Sequence, residues 1–210
     1  PLPHAAGNRM TRELAFIERL RALATHPAAR GLRDDCAVLD LGAETLILTH
    51  DMLVEGIHYL PDADRADVAW KLVATNLSDL AAKGAEPLGV LLGHMLGPDD
   101  ADFLRGLEEV LGHYNVPLLG GDTTSGGPPR ADGLTAIGRA TFRPVPSRSG
   151  ARPGDAIYLT GPLGGAMLGF EALRDGTGED STAYRRPRAR LTEGQALAPH
   201  VTAMMDVSDG

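Results

Sequence analysis

One cysteine, Cys36, is the whole thiol content of the 210-residue chain. A lone thiol forms no intramolecular disulfide and builds no cysteine-based zinc site. Aromatic residues make up only 4%, so a core must come from Leu, Val, Ala, Ile and Met. That scarcity also argues against a single-strand nucleic-acid platform, which needs rings for bases to stack on. Lysine is almost missing: Lys71 and Lys83 are the only two. No apolar run is long enough to span a bilayer, and no basic-then-apolar leader opens the chain. The expectation is a soluble cytoplasmic protein that keeps away from membranes.

What the chain does carry is acid. Its formal net charge is −8, and an acidic surface repels phosphate backbones, which speaks against DNA or RNA as a partner. A phosphorylated metabolite would need metal cations to approach such a surface. With 43% hydrophobic and 23% charged residues, the composition is that of a globular protein, and the length allows one large domain or two small ones.

Periodicity predicts a helix in TRELAFIERLRAL (11–23), then strands in CAVLDLG and TLILTHDMLV. A long helix is expected over 61–87, with Asp64 as N-cap, Gly84 and Pro87 as the stop, and an apolar stripe of Trp70, Val73, Leu77 and Leu80. LGVLLGHML (88–96) reads as a strand, 101–114 as a helix, and VPLLGG and LTAIGRATF as two more strands. The order β, β, α, β, α, β, β predicts an α/β (α+β) fold, a mixed sheet of split-βαβ type backed by helices. A Pro-, Arg-, Ser- and Gly-rich stretch at 143–155 places a domain boundary near residue 148. Residues 1–148 then form one domain, and 149–210 open a second α/β unit with a strand in DAIYLTG followed by a Gly-turn and helix. The polar stretch 174–190 is read as mobile.

Five acidic stations recur: RDDC (33–36), THD (49–51), NLSDL (76–80), GGDTT (120–124) and DVSDG (206–210). Singly, each has an ordinary account in turn or cap chemistry. Asp79 is the sharpest contest. An i, i+4 pair with Lys83 on a solvated face would explain it, and so would a polar site walled by Asn76 and Asp79. Asp51 ends the apolar strand TLIL and Asp122 follows another, VPLL, which is expected to put carboxylates at strand ends, where open sheets bind ligands. Two carboxylates ~4 Å apart repel by about 4 kcal/mol at an effective dielectric of 20, so a convergent cluster requires cations. Oxygen ligands without Cys point to Mg²⁺, which also holds substrate phosphates. GPLGGAMLG (161–169) lacks both the Lys-Ser/Thr of a Walker loop and the spacing of a Rossmann turn. His58, seven residues past Asp51, is the histidine set apart as a candidate.

The stretches DDCAVL, LTHDMLVEGIHYLPDAD, WKLVATNLSDLAAKGAEP, LLGGDTTSG, SRSGARPGDAIYLTG and DVSDG, taken together, resemble the thiamine-monophosphate kinases. Those enzymes belong to the aminoimidazole-ribonucleotide-synthetase-like ATP-binding superfamily. The resemblance implies ATP-dependent phosphorylation of thiamine monophosphate to thiamine diphosphate, by in-line transfer assisted by several Mg²⁺ ions. It implies an N-terminal domain that forms a homodimer through its sheet. By motif, Asp35 and Asp79 would hold Mg²⁺ at the phosphate chain, and Thr49, His50 and Asp51 further Mg²⁺. Gly121 and Asp122 would meet ATP and a metal, with Tyr114 and Arg148 on the nucleotide side. Asp206 and Asp209 would be metal ligands, Asp209 also catalytic, with Ser208 an ATP contact and His58 a substrate contact.

Two residues depart from the family pattern. Arg33 stands in place of a glycine and is expected to crowd its loop. His50 replaces a small or hydroxyl residue, so its ligand role would pass through the backbone. The family also continues past DVSDG with residues that contact thiamine, so the nucleotide half is expected here more fully than the thiamine half. Two alternatives stay open: a sister ATP-dependent synthetase of the aminoimidazole ribotide type, and a nucleotide-binding module without catalysis.

Overall fold

A computed structural model describes residues 6–208. A five-stranded sheet in the order β1-β2-β5-β3-β4 organises it. The strands are β1 (Ala37–Asp40), β2 (Thr45–Val54), β3 (Ala85–Leu96), β4 (Leu118–Ser125) and β5 (Ala131–Ala140). The first four in that order pair antiparallel, and β4 joins β3 in parallel. The mixed sheet is the one expected from the element order. Its helices are α1 (Ala6–Arg21), α2 (Arg65–Ala81), α3 (Asp100–Tyr114), α4 (Gly165–Asp175), α5 (Thr182–Arg185) and α6 (Leu191–Leu197). None of the described helices is long and apolar enough to cross a membrane.

α2 starts where its sequence says it should. Asp64 accepts the amide of Ala66 at 2.8 Å, satisfying one of the free N–H groups of the first turn. The helix is shorter than the predicted 61–87, because the cap comes only at residue 64 and Gly84, at φ +60, turns the chain into β3. Val68, Leu72, Val73, Leu77 and Leu80 are buried against Ile47, Leu53, Val90 and Leu134 of the sheet and Phe103, Leu107 and Val110 of α3. Burying such side chains stabilises by about 1.5–3 kcal/mol each. Trp70 sits at the rim of this stripe, and its indole N–H donates to the carbonyl of Pro187 at 3.0 Å.

The other face of the sheet turns Leu46, Leu48, Met52, Leu91 and Ile137 away from these helices, following the period-2 alternation. Met52 and Leu91 there are exposed.

Beyond residue 148, two expectations need correction. No strand forms at 155–161: Ile157 is 93% and Tyr158 84% exposed. Among the described residues no second sheet offers this segment a ladder for its backbone groups. The second half of the stretch read as mobile is docked. Arg185 and Arg186 both pair with the buried Asp67 of α2, at 2.6 and 2.5 Å, and Ala189 joins the common core. α6 crosses the end of α2 at backbone distance. A Cβ on Gly194 would lie 2.1 Å from the carbonyl oxygen of Ala81, so only glycine allows the crossing.

Candidate functional site

One strand and one helix form the wall at which the acidic stations meet. Thr49 and Asp51 sit two apart on β2, sharing the face toward α2. Asn76 and Asp79, three apart on α2, meet them. The Thr49 hydroxyl donates to Asp79 Oδ2, and the backbone N–H of Asp51 donates to Asn76 Oδ1 at 3.0 Å. Asn76 is fully buried and Asp79 nearly so, which decides between the two accounts of this helix face. It is a wall of a polar site and not a solvated surface.

The pair Asp79–Lys83 does not form. Lys83 is fully buried and its ammonium lies 2.6 Å from Asp34 Oδ1 and 2.8 Å from Asp35 Oδ2. Arg30 reaches Asp34 Oδ2 at 2.5 Å, and Arg148 reaches Asp35 Oδ1 at 3.3 Å. Burial pushes the Asp34 carboxyl up, but Lys83 and Arg30 outweigh it and hold its pKa well below the usual range. Asp34, Arg30 and Lys83 were absent from the residues expected from sequence. The Asp34-Asp35 doublet and the rarity of lysine were the available signals.

Asp206 arrives from the closing segment. That segment runs beside residues 147–150: Met204 N–H donates to the Ser147 carbonyl at 3.4 Å, and a Cβ on Gly150 would meet the Thr202 carbonyl at 2.0 Å. Burial, with Asp35 and Asp51 nearby, raises the Asp206 pKa. Burial raises that of Asp51 against the pull of His50 and His58. For Asp79, burial first and then Asp51, Asp206 and Asp35 lift the pKa to about 7, against the Thr49 hydrogen bond. Asp35, Asp51 and Asp206 thus all act on the Asp79 carboxyl, a smaller group than the five stations read from the sequence.

The donor set suits Mg²⁺. All its groups are oxygens, and Asp35 Oδ2 is buried without a hydrogen-bond partner, its contact with Lys83 being ionic only. Among the described residues, no three His, Cys, Asp or Glu side chains already stand at metal-binding geometry. The residues fit the ion by chemistry and neighbourhood, not as a finished cage.

Asp122 does not join this group within the chain. It lies inside β4, opposite Gly93; Gly93 is opposite Gly133, and Gly133 is opposite Met52. That places it on the open face of the sheet, while Thr49 and Asp51 face α2. Asp122 lines a groove of about 210 Å³ with His50, Met52, His94 and Thr124. The expectation that Asp51 and Asp122 mark strand ends is corrected, since both lie within strands. His50, on the same open face, shares a hydrogen bond with Thr135 at 2.9 Å. Gly121 brings β4 against β3 so closely that a Cβ would lie 1.8 Å from the Leu92 carbonyl oxygen.

The remaining candidates scatter. Tyr114 is half-buried, and its hydroxyl accepts the amide of Ala189 at 2.9 Å. His58 Nδ1 accepts the amide of Val54 at 2.9 Å, fixing the turn after β2. Ser208 is exposed, and Asp209 lies outside the described residues. Arg33 is exposed with φ −121, an ordinary conformation for a side-chain-bearing residue, so it does not crowd its loop.

Residues 33–140 match the family described as AIR synthase related protein, N-terminal domain. The thiamine-monophosphate kinase of Salmonella typhimurium is 39% identical over 193 residues, 86% of this chain and 59% of that protein. The Caulobacter vibrioides thiamine-monophosphate kinase is 40% identical over 194 residues, 88% of this chain and 55% of that one. A solved structure, AaThiL complexed with AMPPCP and TMP, superposes with a TM-score of 0.84 at 26% identity, covering 94% of this chain and 66% of that one. The chain spans somewhat more than half the length of the curated relatives it matches.

Proposed function

The chain belongs to the AIR synthase related family, and from that premise we propose that it carries the nucleotide and metal half of a thiamine-monophosphate kinase. The reaction would be transfer of the γ-phosphoryl group of ATP to the phosphate of thiamine monophosphate, giving thiamine diphosphate and ADP. One observation carries the reading: Thr49 and Asn76 tie Asp79 of the helix and Asp51 of the strand into one buried polar wall, with Asp35 and Asp206 near enough to act on Asp79. Relatives with the same motifs bear the kinase name, and a structural neighbour holds AMPPCP and TMP.

Asp35, Asp51, Asp79 and Asp206 would hold Mg²⁺, with Asp209 beside them by motif. Bound there, Mg²⁺ would neutralise the charge of the phosphate chain, the main requirement of phosphoryl transfer. The protein's own part is positioning. Thr49 fixes the carboxylate of Asp79 through its hydroxyl, and Asn76 fixes the backbone at Asp51. Arg148, 43% exposed at its side chain, can turn from Asp35 to an incoming phosphate. Ser208, Gly121 and Tyr114 remain nucleotide-side proposals, and His58 a substrate-side one. The domain boundary near residue 148 is likewise a proposal.

A homodimer through the open face belongs to the same reading. It is supported by the exposed Met52 and Leu91 there, and it would cover the groove that Asp122 and His50 line. Incubation with Mg-ATP and either thiamine monophosphate or formylglycinamidine ribotide tests the function, with thiamine diphosphate as the expected product. Turnover of only the second substrate would transfer the chain to the sister synthetases. Mg²⁺-dependent ATP binding without turnover of either would leave a nucleotide-binding module.

A further inference from the structure

Lys83 is buried completely, yet the proposed transfer does not use it. An ammonium has three N–H donors; two make hydrogen bonds and the remaining side is closed by an ionic contact. One donates to Asp34 Oδ1 at 2.6 Å and one to the Met204 carbonyl at 3.2 Å. The third side faces Asp35 Oδ2 at 2.8 Å. Nothing is left to reach a ligand, so Lys83 is no phosphate binder.

Its partners are telling. Asp34 and Asp35 form the turn entering β1, and Met204 lies two residues before Asp206. One cation therefore ties together the two segments that bring Asp35 and Asp206 to the site. The positive charge is also unevenly shared. Lys83, Arg30 and Arg148 pair with Asp34 and Asp35, while Asp51, Asp79 and Asp206 enter no ion pair among the described residues. Two of these five carboxylates are balanced by side chains and three are left for something else.

We propose that Lys83 is a tethered cation, a positioning residue that supplies at the Asp34–Asp35 turn the positive charge a divalent ion would otherwise have to supply. This rests on the reading that Asp35, Asp51, Asp79 and Asp206 hold Mg²⁺. With Lys83 in place, the turn and the closing segment are assembled before any ion binds. Bound ions then meet an Asp35 whose charge is already partly balanced, and have chiefly Asp51, Asp79 and Asp206 to neutralise.

Melting temperature in EDTA and in saturating Mg²⁺ tests it, using wild type, Lys83→Met, the double variant Lys83→Met/Asp34→Asn, and Asp79→Asn. Lys83→Met in EDTA should melt on the order of 10 °C below wild type, since a buried charge loses its partner. Mg²⁺ should then raise the variant by about twice what it adds to wild type, because an ion that binds only the folded state stabilises it more where charge is missing. Removing one carboxylate in the double variant should bring the Mg²⁺ increment back to the wild-type size. A simple packing anchor would lower all melting temperatures and leave the increment unchanged, and that result overturns the proposal. If Lys83→Met does not fold in EDTA, folding restored by Mg²⁺ or by Asp34→Asn supports it, and restoration by neither overturns it. A wild type that does not respond to Mg²⁺, indistinguishable from Asp79→Asn, would instead show that the metal reading itself has failed.

Discussion

Asn76 Oδ1 accepts the backbone N–H of Asp51 at 3.0 Å, while its Nδ2 donates to the Leu72 carbonyl at 2.9 Å. A fully buried amide thus joins α2 to the middle of β2 and sets where the Asp51 carboxylate stands. Asn76→Ala leaves the Asp51 N–H buried without a partner, which costs about 1–3 kcal/mol. Chemical denaturation should report that loss, and Mg-ATP affinity should fall with it. Unchanged stability would mean that water satisfies the amide.

Asp79 sets a pH dependence in metal-free buffer. Its folded-state pKa, about 7, lies above the ordinary 3.8, so the folded chain holds a proton that the unfolded chain releases. The associated stability is fully present below pH 3.8 and is lost as pH rises through about 7. Asp206 and Asp51 shift in the same direction. Melting in EDTA should therefore decline for wild type between pH 4 and about 7, more steeply than for Asp79→Asn. Parallel curves would separate Asp79 from the cluster.

Gly120 and Gly121 offer a matched pair. Both have φ near +150 (154 and 150), but a Cβ would meet its nearest atom at 3.7 Å in Gly120 and at 1.8 Å in Gly121. Backbone strain is common to both alanine variants, so their difference isolates the close approach to Leu92. Gly121→Ala should be less stable than Gly120→Ala by roughly 1–3 kcal/mol. Equal loss in urea titrations would mean that the β3–β4 pairing yields at no cost.

Asp67 holds the segment 181–190 through Arg185 and Arg186. Burial pushes its pKa up, but the two arginines outweigh burial and lower it. Both arginines are partly exposed, so Asp67→Ala should cost only about 1–2 kcal/mol. Its larger effect should be kinetic: trypsin cleavage after Arg185 or Arg188 should quicken several-fold. A cleavage rate equal to wild type would place the docking elsewhere, with Trp70 and Pro187.

Met52→Glu adds charge to the open face and disturbs no buried contact, since Met52 is 51% exposed. Sedimentation should show a dimer for wild type and a monomer for the variant, with melting in dilute solution hardly changed. A wild-type monomer at micromolar concentration would end the homodimer proposal.

Most of the sheet layer was legible in the residues. The strand read at 45–54 and the helix read at 101–114 match β2 and α3 nearly residue for residue. Local patterns govern them: alternation along β2 and a helical apolar stripe along α3. The candidate carboxylates were legible as residues too, because Asp beside Gly and Asn in short motifs is a local signal. Lys83 was not, because helical spacing nominates Asp79 as its partner, whereas its real partners Asp34 and Asp35 come from nearly fifty residues earlier. The strand read at 155–161 failed for a related reason: local propensity cannot say whether a neighbouring strand is there to pair with.

The sequence by itself therefore determined most elements of the sheet layer and named the acidic residues that are candidates for a site. These rest on interactions within a few residues. Only the tertiary structure decided which carboxylates share a site, which cation balances them, and that Asp122 faces away from Asp51. Those outcomes depend on strand register, on which face of a strand meets a helix, and on burial, which turns a modest surface charge pair into a strong constraint. Each is set by residues far apart in the chain.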